Sequence, residues 1–81
     1  MMRRYYFDII GGDEIFPDEE GLELSSLAKV QEEAARSLAD MARDSVRSLG
    51  GGSHQLSIEV RDDSGPVLHL KFTFEVERRR H

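Results

Sequence analysis

Residues 55–76, QLSIEVRDDSGPVLHLKFTFEV, alternate apolar and polar side chains along two runs separated by a turn signal. An alternation with a period of two is typical of a strand with one buried and one solvated face, as found in antiparallel sheets. These residues therefore predict a β-hairpin whose two strands bury the same face. The predicted inward residues are Leu56, Ile58 and Val60 in the first strand, and Leu68, Leu70, Phe72, Phe74 and Val76 in the second.

The register of this hairpin follows from the requirement that facing residues both point inward. Pairing Val60 with Leu68 leaves Asp63-Ser64-Gly65 as a three-residue loop, in which a turn is followed by a glycine at a bulge. The same register sets three more pairs opposite each other: Ile58 and Leu70, Leu56 and Phe72, and Glu59 and His69.

The segment before the hairpin predicts one amphipathic helix over about residues 26–48. Ser25 or Ser26 is the expected N-cap, because a hydroxyl can accept a hydrogen bond from an amide that has no partner within the helix. Gly50-Gly51-Gly52 is expected to end the helix. Apolar residues recur at the three- and four-residue spacing of one helical face: Leu27, Val30, Ala34, Leu38 and Met41.

The first part of the chain predicts a strand over residues 3–10, RRYYFDII, since aromatic and β-branched residues favour a pleated surface. Gly11-Gly12-Asp13 is a turn signal, and residues 14–16 are expected to return as a short strand that Pro17 ends. Asp18 to Leu24 is expected to be a solvated acidic connection.

Together these elements predict an α+β fold: a three- to four-stranded, mainly antiparallel sheet packed on one face by a single helix, in the order β-β-α-β-β. Phe74 and Val76 extend beyond the strand predicted at 55–62, so we expect the C-terminal strand to be central, between 55–62 and 3–10. Strands 3–10 and 55–62 would then be parallel and joined by the helix as a split β-α-β unit. The length of 81 residues fits a single domain.

Composition excludes several classes of site. The chain has no Cys, which excludes disulfides, thiolate metal sites and cysteine nucleophiles. No apolar run approaches the roughly 18–20 residues that a membrane span needs, and no signal-peptide stretch follows the N-terminal residues. We therefore expect a soluble, cytoplasmic protein with no membrane partner.

The formal net charge of −5 is unevenly distributed, because residues 1–24 hold seven acids and two arginines. In the expected topology the acids lie at one end of the domain, and most arginines gather at the other end as a basic pole. Such a pole could bind an anion or nucleic acid, although a solvated surface that matches the helix dipole is the simpler interpretation. Its predicted members are Arg3, Arg4, Arg43, Arg47, Arg78, Arg79 and Arg80.

Two surfaces are candidates for protein contacts. Tyr6 and Ile10 fall on the outward face of strand 3–10 and predict an apolar contact, for example with a second copy of the chain. The edge of strand 55–62 is the other candidate, because unpaired backbone groups can accept an added strand.

The sequence shows no catalytic constellation. His69 is explained by a cross-strand ion pair with Glu59, with no nucleophile and orienting group in a cleft beside it. The acids of residues 13–23 lack the spacing of a calcium loop, and neither glycine run has the spacing of a phosphate loop. We therefore expect no catalytic residues, no metal and no cofactor.

Three runs carry a family resemblance: Arg4 to Asp8, Pro17 to Leu24 (PDEEGLEL) and Ile58 to Val76. They resemble a family of short alphaproteobacterial proteins known as a domain of unknown function. The resemblance implies a small intracellular bacterial protein and brings no assigned activity and no catalytic residues. A weaker similarity is to the degraded nuclease-like fold of certain antitoxins, which normally add a DNA-binding segment that is not evident here.

The function that we expect is non-enzymatic: a protein-interaction or regulatory module whose partner is an unidentified protein or a second copy, giving a homodimer. The alternatives are anion or nucleic-acid binding through the arginines, or an antitoxin-like component. Nucleic acid is the less favoured partner, since most charge runs are solvated surfaces.

Overall fold

The structure is a computed structural model that describes residues 2–48 and 52–79. An antiparallel sheet of five strands packs against one helix, which confirms the predicted α+β fold. The elements in chain order are β1 (Arg3–Gly11), β2 (Glu14–Phe16), β3 (Leu22–Leu24), α1 (Leu27–Ser48), β4 (Gly52–Asp62) and β5 (Gly65–Val76).

The β4–β5 hairpin has the predicted register, with Val60 opposite Leu68 and the three further pairs as expected. Its loop is shorter than predicted, because Asp62 pairs with Gly65 and leaves two residues between them. The predicted irregularity is present: Leu68 lies opposite Val60, Pro66 lies opposite Arg61, and β5 therefore contains one extra residue between these pairs. From Leu68 onward the pairing is regular to the end of the strand.

The strand order differs from the expected one. The order is β2-β1-β4-β5, so β4 is central and β5 lies at the edge. β1 and β4 are antiparallel neighbours, and the predicted split β-α-β unit is therefore wrong. The reason is the start of β4: Gly52 continues the strand and pairs with Val76, and His54 pairs with Phe74, so the end of β5 is already covered by β4.

The far side of β1 is covered by two short strands instead of one. Ile9 pairs with Phe16 in β2, and Tyr5 pairs with Leu22 in β3. Residues 17–21 thus lie opposite residues 6–8, five residues against three, and bulge away from the strand. We call residues 17–21 the acidic turn. The connection that was expected to be a solvated loop therefore contains an ordered turn and a third strand.

The core lies between α1 and one face of the sheet. Val30 and Ala34 of the helix and Ile58 and Val60 of β4 are completely buried. The helix begins where predicted, since the Ser26 hydroxyl accepts a hydrogen bond from the Lys29 amide at 3.2 Å. The predicted glycine cap at the helix end involves residues 50 and 51, which lie outside the described residues.

Further residues complete the packing on this inner face. Those with little exposure are Tyr5, Leu38 and Ala42, and those partly buried against them include Phe7, Ile9, Met41, Leu56, Leu68 and Leu70. Leu27, predicted to join the buried helical face, is 52% exposed because it stands at the first position of α1.

The buried face of the sheet can be tested with two isoleucines. Ile58 is fully buried, whereas Ile15 is 64% exposed. We expect Ile58→Ala to lower the free energy of unfolding by about 2–5 kcal/mol, because it removes apolar contacts and leaves a cavity. The matched control Ile15→Ala should lower it by less than about 1 kcal/mol. Urea unfolding followed by circular dichroism measures both values, and equal losses would contradict the described packing.

Candidate functional site

The acidic turn closes the sheet edge beyond β1. The amide of Phe7 points away from β4, into the gap between β2 and β3, and donates a hydrogen bond to Asp18 Oδ2 at 3.1 Å. The other carboxylate oxygen, Oδ1, accepts the amides of Glu20 and Gly21, both at 3.1 Å. One side chain thus shapes the turn and supplies an acceptor to the strand that it covers.

Arg61 and Asp8 fix this turn to the outer face of the sheet, the face opposite α1. Arg61 Nε donates to Asp8 Oδ2 at 2.8 Å, and Arg61 Nη2 donates to the carbonyl oxygen of Asp18 at 3.0 Å. Asp8 in turn accepts the Asp18 amide at 2.9 Å. The hydrogen bond to Asp8 raises the pKa of the Arg61 guanidinium, which stays charged. The network joins β1, the acidic turn and β4.

The same network covers Tyr6. The Arg61 guanidinium lies 4.6 Å from the centroid of the Tyr6 ring, within the range of a cation–π contact. The acidic turn approaches the ring from another side, at Gly21. Tyr6 is therefore half-buried, with Arg61 and Gly21 of its own chain close to its ring, and its contact with a second chain stays a prediction.

The opposite edge of the sheet, at β5, is open. In the described part of the chain β5 pairs with β4 alone. We call residues Leu68 to Val76, the regular part of β5 after its irregularity, the open edge. The direction of its backbone groups can be inferred from the hydrogen bond at Phe7. Along two antiparallel strands, residue pairs whose N–H and C=O groups bond to each other alternate with pairs whose N–H and C=O groups point away from each other.

The alternation can be followed from Phe7 through Val60 to the open edge. The Phe7 N–H group points away from β4. The N–H and C=O groups of its partner Val60 therefore point away from β1, toward β5. Leu68, which pairs with Val60, therefore directs its N–H and C=O groups toward β4. The next residue, His69, directs its N–H and C=O groups away from β4. The N–H and C=O groups that point away from β4 along the open edge therefore belong to His69, Lys71, Thr73 and Glu75.

The two faces of the open edge have different chemistry. On the inner face the rings of Phe72 and Phe74 lie 5.5 Å apart, and Phe72 remains 37% exposed. On the outer face the four outward residues are exposed and polar. His69 Nδ1 is 3.7 Å from Glu59 Oε2, the pair that the register predicted. Glu75 accepts a hydrogen bond from the Ser53 hydroxyl at 3.2 Å.

The seven arginines of the predicted basic pole do not gather at one end, so that expectation about geometry is wrong. β1 runs antiparallel to β4, which places Arg3 Nη1 3.5 Å from Asp62 Oδ2. The pairing of β1 with β3 places Arg4 Nη2 3.3 Å from Glu23 Oε1. Four others lie toward the opposite end, at the end of α1 or after β5: Arg43, Arg47, Arg78 and Arg79. Arg43 Nη2 is 3.2 Å from Asp40 Oδ1, and Arg79 Nη2 is 3.1 Å from Glu77 Oε1. Arg80 lies outside the described residues. Anion binding by any of them stays a prediction.

The contact surface predicted at Tyr6 and Ile10 stays a prediction, and the one predicted at the edge of residues 55–62 is wrong. Ile10 is half-buried and pairs with the exposed Ile15, so its apolar neighbour is in β2. The edge of residues 55–62 does not exist, since β4 has a strand on each side. Sequence reasoning missed the open edge because the strand order was wrong. It also missed the network of Asp8, Asp18 and Arg61, although each belongs to one of the three runs that carry the resemblance.

The described part of the chain offers a groove, but no metal site and no membrane-spanning helix. A groove of about 290 Å³ lies between the hairpin tip at Gly11 and Gly12, the helix residue Ser45, and Leu56 and Phe74 of the sheet. In residues 2–48 and 52–79, no three His, Asp or Glu side chains are grouped to hold a metal ion. The one described helix is too polar to cross a membrane.

Gly21 is required by crowding as well as by its backbone angle. Its φ is +74°, and a Cβ atom there would lie 2.9 Å from Arg4 Cγ and 3.0 Å from the Tyr5 carbonyl oxygen. Gly12 has a similar φ of +61° with nothing within 4 Å. Both Gly21→Ala and Gly12→Ala place a side chain at a positive φ, but only at Gly21 does the added methyl group meet neighbouring atoms. We therefore expect Gly21→Ala to lower the free energy of unfolding by at least about 1 kcal/mol more than Gly12→Ala. Thermal or urea unfolding of both variants checks this, and equal costs would refute the close approach.

Asp18 gives the fold a pH dependence with a defined sign. Burial alone would raise the pKa of this carboxyl group, but the amides of Phe7, Gly21 and Glu20 and the charge of Arg61 together lower the pKa below its ordinary value of 3.8. Stability from Asp18 is therefore present above about pH 4 and is lost as the pH falls through the lowered value.

We expect Asp18→Asn to reduce the free energy of unfolding at neutral pH by about 1–2 kcal/mol. Below about pH 4 the difference in the free energy of unfolding between the variant and the original protein should shrink. Protonation of Asp18 weakens the original protein there, whereas the asparagine has no proton to gain. Urea unfolding between neutral pH and pH 2 measures the difference. The control is Glu19→Gln, which removes an adjacent exposed carboxylate. A difference that stayed constant with pH would contradict the role assigned to Asp18.

Comparison with known proteins identifies the chain only at the level of a family. No curated protein and no solved structure gives a significant match. The family model described as "Domain of unknown function (DUF6894)" matches residues 4–73, which include the acidic turn, its network and most of the open edge. The chain therefore belongs to the DUF6894 family, whose function is unknown.

Proposed function

We propose that this protein is a non-enzymatic interaction module that binds an extended segment of a protein partner along the open edge of β5. The observation that carries the proposal is the set of outward backbone groups at His69, Lys71, Thr73 and Glu75, which have no strand beyond them in the described part of the chain. Addition of a strand would satisfy these groups with hydrogen bonds, as in other cases of β-augmentation.

The contrast between the two sheet edges supports this proposal. Proteins usually protect long edge strands with covering segments, bulges, prolines or charges. The edge beyond β1 is covered by β2, β3 and the acidic turn. On β5 the proline and the irregular pairing are confined to the first residues, up to Val67. The nine residues that follow pair regularly, and their charged residues, Lys71 and Glu75, have opposite signs and can therefore pair with a strand of complementary charge. The open edge is thus long enough to hold a partner strand.

The side chains of the open edge indicate the chemistry of the partner. The inner face offers Phe72, partly exposed beside Phe74, and the outer face offers polar and charged groups. An added strand continues the pleat of the sheet, so its side chains also alternate between the two faces. The best partner segment is therefore an extended strand that alternates apolar and polar residues.

Thr73→Pro tests this function without breaking the hairpin. The Thr73 amide faces away from β4, so proline there removes a hydrogen-bond donor only from the open edge. The control Thr73→Val keeps the amide and the β-branched shape. A random library of displayed peptides, selected on the original protein, provides the binding partners.

We expect selected peptides to bind the original protein and Thr73→Val alike, and to bind Thr73→Pro about tenfold more weakly or worse. Bound peptide should also slow hydrogen exchange at the amides of His69, Lys71 and Glu75. Circular dichroism and thermal unfolding establish that all variants are folded. Peptides that bind Thr73→Pro equally well, or that leave these amides unprotected, would overturn the proposal.

A further inference from the structure

We propose that the partner strand is β5 of a second copy of this chain, paired antiparallel and centred on Thr73. This inference rests on the proposed function, because it names the occupant of the same open edge. The result is a symmetric dimer in which the two sheets join into one continuous sheet. Three features of β5 support this dimer: the order of charges along the open edge, the direction of its backbone groups and the exposed ring of Phe72.

The charges of the open edge favour antiparallel self-pairing. His69 and Lys71 lie toward the start of β5 on its outer face, whereas Glu75 lies toward the end, with Glu77 just beyond it. An antiparallel second copy places the basic half of each strand against the acidic half of the other. A parallel second copy would place like charges together, which is unfavourable in cross-strand pairs.

The register follows from the backbone and from Lys71. Only outward-facing residues can bond across the new interface, so possible registers differ by steps of two residues. A register centred on Thr73 sets Lys71 opposite Glu75 of the second copy, at two symmetric positions. A register centred on Phe72 would instead set Lys71 opposite Thr73.

The first of these registers supplies what the single chain lacks. Neither Lys71 nor Glu75 has an oppositely charged side chain within 4.0 Å in the described part of the chain. Glu75 accepts one hydrogen bond from Ser53, and a carboxylate has a second oxygen that can accept another. The two symmetric ion pairs would therefore form without breaking an ion pair inside either chain.

The inner face is consistent with the same register. Phe72 of one copy comes to lie opposite Phe74 of the other, and Leu70 lies opposite Val76. The new strand then covers the part of the Phe72 ring that is exposed in the single chain. The two-fold axis is perpendicular to the sheet, so both α1 helices lie on the same face and flank the joined β5 strands.

The expected dimer is weak. Nine residues of strand are about 30 Å long, and pairing along a single edge buries less than the roughly 1,200 Å² of typical stable interfaces. We expect dissociation in the micromolar range or above. The measurement must therefore extend to concentrations of about 1 mM, where a weak symmetric complex is populated.

Charge exchange between positions 71 and 75 tests both the partner and the register. The variants are Lys71→Glu and Glu75→Lys, each studied alone and in an equimolar mixture by sedimentation equilibrium. Each single variant places like charges opposite each other, so we expect its dissociation constant to rise about tenfold or more. The mixture should regain dimers, because the two introduced charges, which have opposite signs, then face each other, and the original Glu75 of one variant faces the original Lys71 of the other.

Matched controls are Lys29→Glu and Glu32→Lys, which make the same charge changes on the exposed surface of α1. They should leave the dissociation constant of the dimer unchanged, and circular dichroism should show every variant folded. Single variants that dimerise as well as the original protein, or a mixture that stays monomeric, would overturn the register and with it the proposal.

A wild-type protein that stays monomeric to about 1 mM would overturn self-association. The proposed function would then stand or fall separately, on whether Thr73→Pro weakens binding of the selected peptides. Dimers of Thr73→Pro that equal those of the original protein would place the contact away from the open edge and would also overturn the proposal.

Discussion

The amide of Phe7 has to find an acceptor on the side of β1 that faces away from β4, and the Asp18 carboxylate supplies it. An unsatisfied backbone donor at a sheet edge either remains in water or bonds to a second chain. Asp18 lies in the gap between β2 and β3 and accepts this hydrogen bond, so the Phe7 amide is satisfied within its own chain. Arg61 and Asp8 hold the turn in place from the outer face, so the closed edge depends on a few charge-assisted hydrogen bonds.

This closure makes the two edges of the sheet unequal. On the side of β1 that faces away from β4, the backbone of β1 is paired with β2 and β3 or bonded to Asp18. On the side of β5 that faces away from β4, the described part of the chain has no strand. The same hydrogen bond at Phe7 also shows which backbone groups face outward on β5, because the alternation of the ladder continues from β1 through β4 to the regular part of β5. The outward backbone groups of the open edge can thus be identified from a contact at the opposite side of the sheet.

Hydrophobic periodicity was enough to predict the helix, the β4–β5 hairpin and its register, since Ile58, Val60 and their partners repeat every second residue. It did not predict the strand order, which depended on whether Gly52 ends the loop or begins the strand. Gly52 has a φ of +93°, and glycine carries no side chain that would show the face of a strand. The mistaken strand order then produced both the basic pole and the edge at residues 55–62. The contacts of Asp18 were missed because a carboxylate bonded to amides leaves no periodic signal.

The closed edge also limits how far the sheet can extend by self-association. A sheet with two open edges can add copies without end, which leads to fibres. In the proposed dimer, antiparallel pairing through β5 uses the open edge of each copy, and the outer edges of the joined sheet are those covered in each chain by β2, β3 and the acidic turn. Assembly about a two-fold axis is then closed and stops at two chains. By bonding the Phe7 amide on the side of β1 that faces away from β4, Asp18 thus helps to limit the proposed assembly to two chains.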